Sequence, residues 1–151
     1  MQDTTTTITK ADLNERNEYS ASADLSVVGH LRFAANLGRV RILGALSATL
    51  SITAEAGSGI KAGLGIKAGW GIEAGSGIEA GSGIKAGWGI EAGFSISCQM
   101  ELSAKLRIFA GLCLWRLPKP EEQVIECAEL KDGTVAFGTL KLLEAPKKEG
   151  K

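Results

Sequence analysis

Histidine is nearly missing from this chain of 151 residues, and so are the spacings that bring metal-binding or catalytic groups together. His30 is the only histidine, and the three cysteines, Cys98, Cys113 and Cys127, contain no CxxC pair. Zinc sites need clustered cysteine and histidine ligands, and nucleophilic catalysis needs a nucleophile beside a base. We therefore expect no metal, no cofactor and no enzyme activity. The thiols are interpreted as small buried side chains in a reducing compartment, with a metal or redox role as the alternative.

Long apolar runs are also lacking. No stretch approaches the roughly 20 residues that a membrane-spanning helix needs. The polar N-terminus does not show the basic segment and apolar segment of a secretory signal. Seventeen basic and seventeen acidic residues cancel, which argues against a mainly electrostatic grip on nucleic acid. These absences predict a cytoplasmic protein that binds no membrane and does not bind nucleic acid directly.

Glycine, in contrast, is abundant, and its 20 residues are concentrated in the middle of the chain. There the unit G-I-x-A-G-x repeats at every sixth position, and its copies extend from Gly59 to Leu112. A helix would spread the isoleucines around its whole surface. In a strand, Ile and Ala of I-x-A point to one side and Lys or Glu to the other. We expect Gly-x-Gly to turn the chain, because glycine tolerates positive φ. The repeat predicts an all-β fold, a parallel β-solenoid (β-helix).

A longer period lies above the short one. Residues 57–74 and 75–92 match at 16 of 18 positions, which predicts an 18-residue coil with three short faces. In this register Trp70 lies directly below Trp88, about one strand spacing (~4.8 Å) away. A 12-residue coil with two faces is the alternative, although a shift of twelve matches less well, at 8 of 12 positions.

The two registers differ in how they stack charge. The longer coil places Lys67 beside Lys85 and Glu73 beside Glu91, and like charges on neighbouring strands are unfavourable. The shorter coil would alternate lysine and glutamate along the stack. The closer match of the 18-residue blocks favours the longer coil, and the charge pattern favours the shorter one.

The solenoid is predicted over residues 21–112, and its N-terminal part is less regular. Residues 39–56 fit one further coil in which Ile42, Ala48 and Ala54 take the positions of isoleucine. Residues 1–20 are polar and lack the repeat, so we expect a flexible segment there.

The C-terminal part changes character at residue 113. Within residues 113–145, Asp132-Gly133 lies between two apolar runs, which is typical of a β-hairpin. Because a solenoid leaves an open sheet edge at its end, we expect this hairpin to be a cap, with a partner-binding element as the alternative. Residues 146–151 are charged, and a mobile tail is expected.

Two known solenoid functions fit the repeat poorly. Hexapeptide acyltransferases place a small residue four positions after the aliphatic one, whereas here that position holds Leu64, Trp70 and Trp88 among others, and the coils contain no histidine base. Ice-binding solenoids present rows of threonine, whereas this repeat presents lysine and glutamate. Neither function is expected.

The sequence that follows the repeat carries a resemblance. IFAGLCLWR, from Ile108 to Arg116, followed by VIEC, AEL, DGTV and FGTLKL, resembles the end of glycine-rich hexapeptide-repeat proteins encoded by phages and mobile elements of Firmicutes. The likeness covers about residues 57–143. Small proteins of such elements include inhibitors of host defence, such as anti-CRISPR proteins. The resemblance implies that context and assigns no role to individual residues.

These observations lead to a functional expectation. We expect a non-enzymatic protein that binds a macromolecule, with a host defence nuclease such as a CRISPR effector complex as the expected partner, and that can also form a homo-oligomer. The alternative is a structural solenoid that assembles with itself. The candidate surface combines aromatic and charged side chains, although the two repeat tryptophans have burial in the coil or a corner stack as an alternative. Its members are Trp70, Trp88, Lys67, Glu73, Lys85, Glu91, Trp115 and Arg116.

Overall fold

A computed structural model describes residues 4–113 and 116–143 and confirms the parallel β-solenoid. The described residues contain seventeen strands and two short 3-10 turns, Lys10–Asp12 and Pro120–Glu122. All the named strands pair in parallel.

The strands line up on three faces around a common interior. Face 1 is a six-stranded sheet formed by β4 (Gly38–Ile42), β7 (Ser58–Ala62), β10 (Ile78–Ala80), β13 (Ile96–Cys98), β15 (Val124–Cys127) and β17 (Thr139–Leu142). Face 2 contains β2 (Leu25–Val27), β5 (Leu46–Ala48), β8 (Ile66–Ala68) and β11 (Ile84–Ala86). Face 3 contains β1 (Thr5–Ile8), β3 (His30–Phe33), β6 (Ile52–Ala54), β9 (Ile72–Ala74) and β12 (Ile90–Ala92). Two long strands, β14 (Glu101–Ala110) and β16 (Glu129–Phe137), continue from face 2 to face 3.

The register in the regular part is that of the 18-residue coil. Ile60 pairs with Ile78, and Ile78 pairs with Ile96 on the same face. The same offset joins Ile66 to Ile84 on face 2. The three-faced coil is therefore confirmed, and the two-faced, 12-residue coil is wrong.

The interior is built by stacking like on like. Every Ile and Ala of the I-x-A strands faces inward, and none of them is more than 5% exposed. Since identical apolar side chains lie above one another at each coil, a single contiguous core runs through the solenoid. Burial of this kind stabilises by about 25 cal/mol per Å² of apolar surface. The repeat therefore encodes its own core, coil after coil.

The corner glycines serve a different purpose from the one expected. The glycines of the regular corners do not have positive φ; glycines with positive φ among the described residues are Gly29, Gly38, Gly57, Gly111, Gly133 and Gly138. The first glycine of each regular corner is required by space instead. A Cβ on Gly87 would overlap the carbonyl oxygen of Gly69 in the coil below, whereas one on Gly71 would lie at an ordinary 3.4 Å from the oxygen of Gly89.

The N-terminal coils are longer than the regular ones, and this changes the expected positions. Leu46 pairs with Ile66 and Ile52 with Ile72, an offset of twenty positions instead of eighteen. Val40, Leu46 and Ile52 therefore hold the isoleucine positions. The assignment of Ile42, Ala48 and Ala54 to them is wrong, since each pairs with an alanine of the next coil. The extra residues lie at the corner before β7. There the buried Ser58 donates a hydrogen bond to the carbonyl oxygen of Ala34 (2.5 Å) and accepts one from the amide of Leu37 (3.0 Å).

The segment at residues 1–20, expected to be flexible, contains part of the solenoid. Thr5–Ile8 pairs with β3, and Ile8 is buried. Tyr19 donates its amide to the carbonyl oxygen of Arg41 and so covers the free edge of β4. The physical reason is that an open edge strand offers unpaired backbone groups, and a polar segment can pair with them as well as an apolar one.

The C-terminal hairpin is not formed. Asp132 and Gly133 lie inside β16, which pairs in parallel with β14 and follows it around the corner between faces 2 and 3. β15 and β17 likewise add parallel strands to face 1. Asp132 and Gly133 do form a turn, with Gly133 at φ +109°. The turn carries the chain around the corner between faces 2 and 3 and does not reverse it, because β16 pairs in parallel with β14. The segment extends the coil, and the tail at residues 146–151 lies outside the described residues.

Candidate protein-interaction surface

Four apolar residues form a ridge along the corner between faces 2 and 3, which we name the Trp corner: Leu50, Trp70, Trp88 and Leu106. One backbone hydrogen bond joins each to the next. The amide of Trp70 donates to the oxygen of Leu50, that of Trp88 to Trp70 and that of Leu106 to Trp88, each at 2.9 Å. The ladder fixes the spacing of the side chains, because each is anchored to a rigid coil.

The two indoles are stacked on one another. The ring centroids of Trp70 and Trp88 are 4.9 Å apart with planes inclined by 5°, which agrees with the spacing expected from the 18-residue register. His30 makes an edge contact with Trp70 at 5.1 Å, and its Nδ1 lies 2.6 Å from the hydroxyl of Ser51. The corner stack is confirmed, but it is open to solvent, because Trp88 remains 52% exposed and Leu106 60% exposed.

Two rows of like charge flank the Trp corner. The Lys row, Lys67 and Lys85, lies on face 2, and the Glu row, Glu73 and Glu91, lies on face 3. All four side chains are exposed. Within the described residues none of them makes an ion pair. The like-on-like stacking that the sequence predicted is therefore present on both faces.

The stacking has an electrostatic cost on face 3. The pKa of Glu91 is raised above its ordinary value, first because the carboxylate is partly removed from water and second because Glu73 lies beside it. Both causes disfavour the charged form. The Glu row therefore favours a neighbouring positive charge.

Face 1 is arranged differently. Lys61 lies opposite Glu79, with 3.8 Å between the Lys61 nitrogen and a Glu79 oxygen, and Arg39 approaches the same carboxylate at 3.9 Å. Further along this face, Lys141 pairs with Glu126 at 3.6 Å. On face 1, Lys61 and Lys141 therefore each have an acidic partner, whereas Arg41 lies beside the like-charged Lys61.

The remaining candidate residues do not join the Trp corner. Trp115 lies outside the described residues. Arg116 lies over the ring of Phe94, 4.4 Å from its centroid, at the corner between faces 3 and 1. Its guanidinium also makes two hydrogen bonds to Glu122, which lower the pKa of that carboxyl to about 2. The candidate set thus divides into the Trp corner with its two charged rows, and a separate site around Arg116.

A groove runs beside the Trp corner on face 3. It has a volume of about 430 Å³ and is lined by both indoles, both carboxylates of the Glu row, Arg107 and Phe109, among others. Sequence reasoning missed Leu50, Leu106 and Phe109. Leu106 and Phe109 could have been found, since they lie one regular coil after Trp88 and Glu91.

The cysteines are poorly suited to nucleophilic or metal chemistry. Burial, with the neighbouring Cys127 as the second cause, raises the pKa of the Cys98 thiol to about 12. Burial also raises the pKa of the Cys127 thiol. The described residues contain no group of three or more His, Cys, Asp or Glu side chains that could hold a metal ion. In the same part of the chain, no helix has the length and hydrophobicity to cross a bilayer.

Comparisons with known proteins were negative. No family model matches the chain, and no curated protein or solved structure is significantly similar to it. The interaction surface therefore has to be interpreted from its own geometry.

Proposed function

We propose that the chain is a non-enzymatic protein-binding solenoid and that the Trp corner is its principal contact surface. The observation that carries this proposal is the pair of stacked indoles on a rigid ridge, open to solvent at Trp88. Tryptophan is enriched among the residues that dominate binding energy at interfaces. Because the stack and the backbone ladder hold the indoles in place, little conformational entropy is lost when a partner covers them.

The proposal that no catalysis is involved has separate support. The ring of the single histidine packs edge-on against Trp70, and its Nδ1 accepts a hydrogen bond from the backbone amide of Ser51 at 3.3 Å. These contacts fix the imidazole as part of the corner. The raised pKa values of Cys98 and Cys127 disfavour the thiolates that covalent catalysis would use. These properties fit a protein that acts by covering a surface of its partner.

We further propose a host defence nuclease as the partner class, on the strength of the resemblance of the C-terminal sequence to proteins of mobile elements. Such an inhibitor would act in the cytoplasm of the host cell. It would contact the nuclease through the charged faces of the coils and through residues 113–143. Its inhibition would be stoichiometric, because each copy would occupy one nuclease without cleaving or modifying it. The dependence on salt would be moderate, because the net charge is zero and few counterions are released.

The test is a protection assay with a matched pair of variants. The chain is expressed with a CRISPR effector and a targeted plasmid, and plasmid survival is measured together with a titration of purified inhibitor against effector. Trp70→Ser/Trp88→Ser is expected to abolish protection while keeping the fold, because Ser76 and Ser82 occupy the same repeat position. Leu64→Ser is the control. Leu64 is 53% exposed at the same repeat position of a different corner, so protection is expected to persist.

Three outcomes would count against the proposal. Multiple turnover in the titration would point to an enzyme. Equal loss of protection in both variants would remove the Trp corner from the interface. Failure to protect against any effector tested would overturn the nuclease as partner and favour the second candidate, a solenoid that assembles with itself, for which the unpaired charged rows are the specific observation.

A further inference from the structure

The charged rows beside the Trp corner stack like on like, and their four side chains make no ion pair among the described residues. Between the two 18-residue blocks, the change from Lys61 to Glu79 produces an opposite-charge pair on face 1. No such change occurs in the Lys row or the Glu row. Like charges on neighbouring strands destabilise each row, and a complementary charge supplied by a second molecule would relieve that repulsion.

The two rows are complementary to each other in spacing as well as in sign. Each coil carries one lysine of face 2 and, at the sixth position after it, one glutamate of face 3, so the rows lie at nearly equal heights. Successive members of each row are one strand spacing (~4.8 Å) apart. The positions that precede the rows are small, Ser47 before the Lys row and Thr53 before the Glu row. A flat sheet carrying the Lys row can therefore lie against one carrying the Glu row, with both charge pairs in register.

We propose that the Trp corner also binds a second copy of this chain, with face 2 of one copy docked on face 3 of the next, so that self-association and binding of another partner exclude each other. The inference rests on the proposed function, since it names a further partner of the same surface. Lys67 and Lys85 of one copy enter the groove of the other, between the indoles and the Glu row. Besides the ion pairs, the lysines can make cation–π contacts with the indoles.

The contact is heterologous, because it joins face 2 of one copy to face 3 of the other. Each copy therefore keeps one unused face after docking, and the contact can be repeated from copy to copy. Face 1 stays outward, with a groove of about 690 Å³. The expected product is an assembly larger than a dimer, a closed ring or an open series, and its share grows with concentration.

The experiment uses charge reversal with a mixing arm. Lys67→Glu/Lys85→Glu makes both rows acidic, and Glu73→Lys/Glu91→Lys makes both rows basic. Sedimentation velocity is measured at low and high salt for the intact chain, each variant and an equimolar mixture. The intact chain is expected to form oligomers that dissociate at about 1 M salt, where the Debye length is about 3 Å. Each variant alone is expected to associate more than about tenfold more weakly, and the mixture to recover association.

The control exchanges charges on the outward face. Lys61→Glu/Glu79→Lys keeps the pair and the net charge, so its self-association is expected to equal that of the intact chain. Circular dichroism melts establish that every variant is folded. An intact chain that stays monomeric at the highest concentration and low salt, or a mixture that stays monomeric while both variants fold, would overturn the inference. If the intact chain is monomeric but loses a different bound protein on Trp70→Ser/Trp88→Ser, the proposed function stands and only the second copy is excluded as partner.

Discussion

On face 1, Lys61 lies opposite Glu79, whereas on faces 2 and 3 lysine lies beside lysine and glutamate beside glutamate. The interior behind all three faces is the same, with Ile stacked on Ile and Ala on Ala. Repetition of a block therefore stabilises the fold on the inner side of a sheet and destabilises it on the outer side. Identical apolar side chains pack favourably when stacked, and identical charges repel. On face 1 the repulsion is limited to Arg41 beside Lys61, because Glu79 lies on the other side of Lys61. The Lys row and the Glu row contain no opposite charge.

The largest expected effect tests whether the interior is shared. Ile78→Ala on face 1 and Ile84→Ala on face 2 should each lower the free energy of unfolding by about 2–5 kcal/mol, since each opens a cavity beneath a buried side chain. Both residues are 1% exposed. Chemical denaturation measures the loss. A cost below about 1 kcal/mol for only one of them would show that the faces do not share a core.

The next effect concerns the corners that separate the faces. Gly87→Ala should lower the free energy of unfolding by about 1–3 kcal/mol, because the new methyl group overlaps the carbonyl oxygen of Gly69. Gly71→Ala is the control, since its methyl group would have ordinary contact at 3.4 Å from Gly89. Thermal melts of the two variants provide the comparison. Equal costs would mean that close approach of the coils is not why the first glycine is needed.

A smaller effect on stability is expected from a substitution that gives the outer side of face 1 the like-charge stacking of face 2. Glu79→Lys adds a positive charge to a face that already carries Arg39, Arg41 and Lys61, and we expect a loss of about 1 kcal/mol in the free energy of unfolding. Glu79→Gln removes the attraction without adding repulsion, so its loss should be about half as large. Measurement at about 1 M salt should shrink both losses. Losses that are unchanged by salt would assign the effect to packing.

The smallest effect on stability is expected from removing one of the like charges on face 3. Because the pKa of Glu91 is raised in the folded chain, folding holds its proton more tightly, and the charged carboxylate costs stability at neutral pH. Glu91→Gln should raise the free energy of unfolding there by about a few tenths of a kcal/mol. The gain should fall as pH drops through the raised pKa and vanish below the ordinary value of 4.5. A gain that persists well below that value, or a loss at neutral pH, would contradict the proposed repulsion.

Sequence reasoning predicted the regular coils well and the ends of the solenoid poorly. The pairing of Ile60 with Ile78 and the stack of Trp70 on Trp88 were both expected from the repeat, because a translation along the chain becomes a translation along the solenoid axis. The hairpin at Asp132 and the flexible segment around Thr5 were not correct as expectations. In both places the local composition is compatible with several structures, and pairing with a neighbouring strand determines which one forms.

The candidate surface was predicted in the same uneven way. The two tryptophans of the Trp corner, the Lys row and the Glu row follow from the repeat, whereas the two leucines of the Trp corner were missed. Arg116 was assigned to the same surface and lies at another corner. Trp115 stays a prediction outside the described residues. Proximity in the chain is a poor guide after the repeat ends, because the coil places residues six positions apart on different faces.

The sequence by itself determined the strands and the core composition of the regular coils, and it favoured the 18-residue period. These depend on alternation of side chains and on repetition, which are properties of the chain alone. Only the tertiary structure decided that Asp132 and Gly133 turn a corner, that Thr5–Ile8 extends face 3 and that Leu46 and Ile52, not Ala48 and Ala54, hold the isoleucine positions. Each of those outcomes depends on pairing with a strand distant in sequence, since an unpaired edge accepts whichever segment reaches it in register.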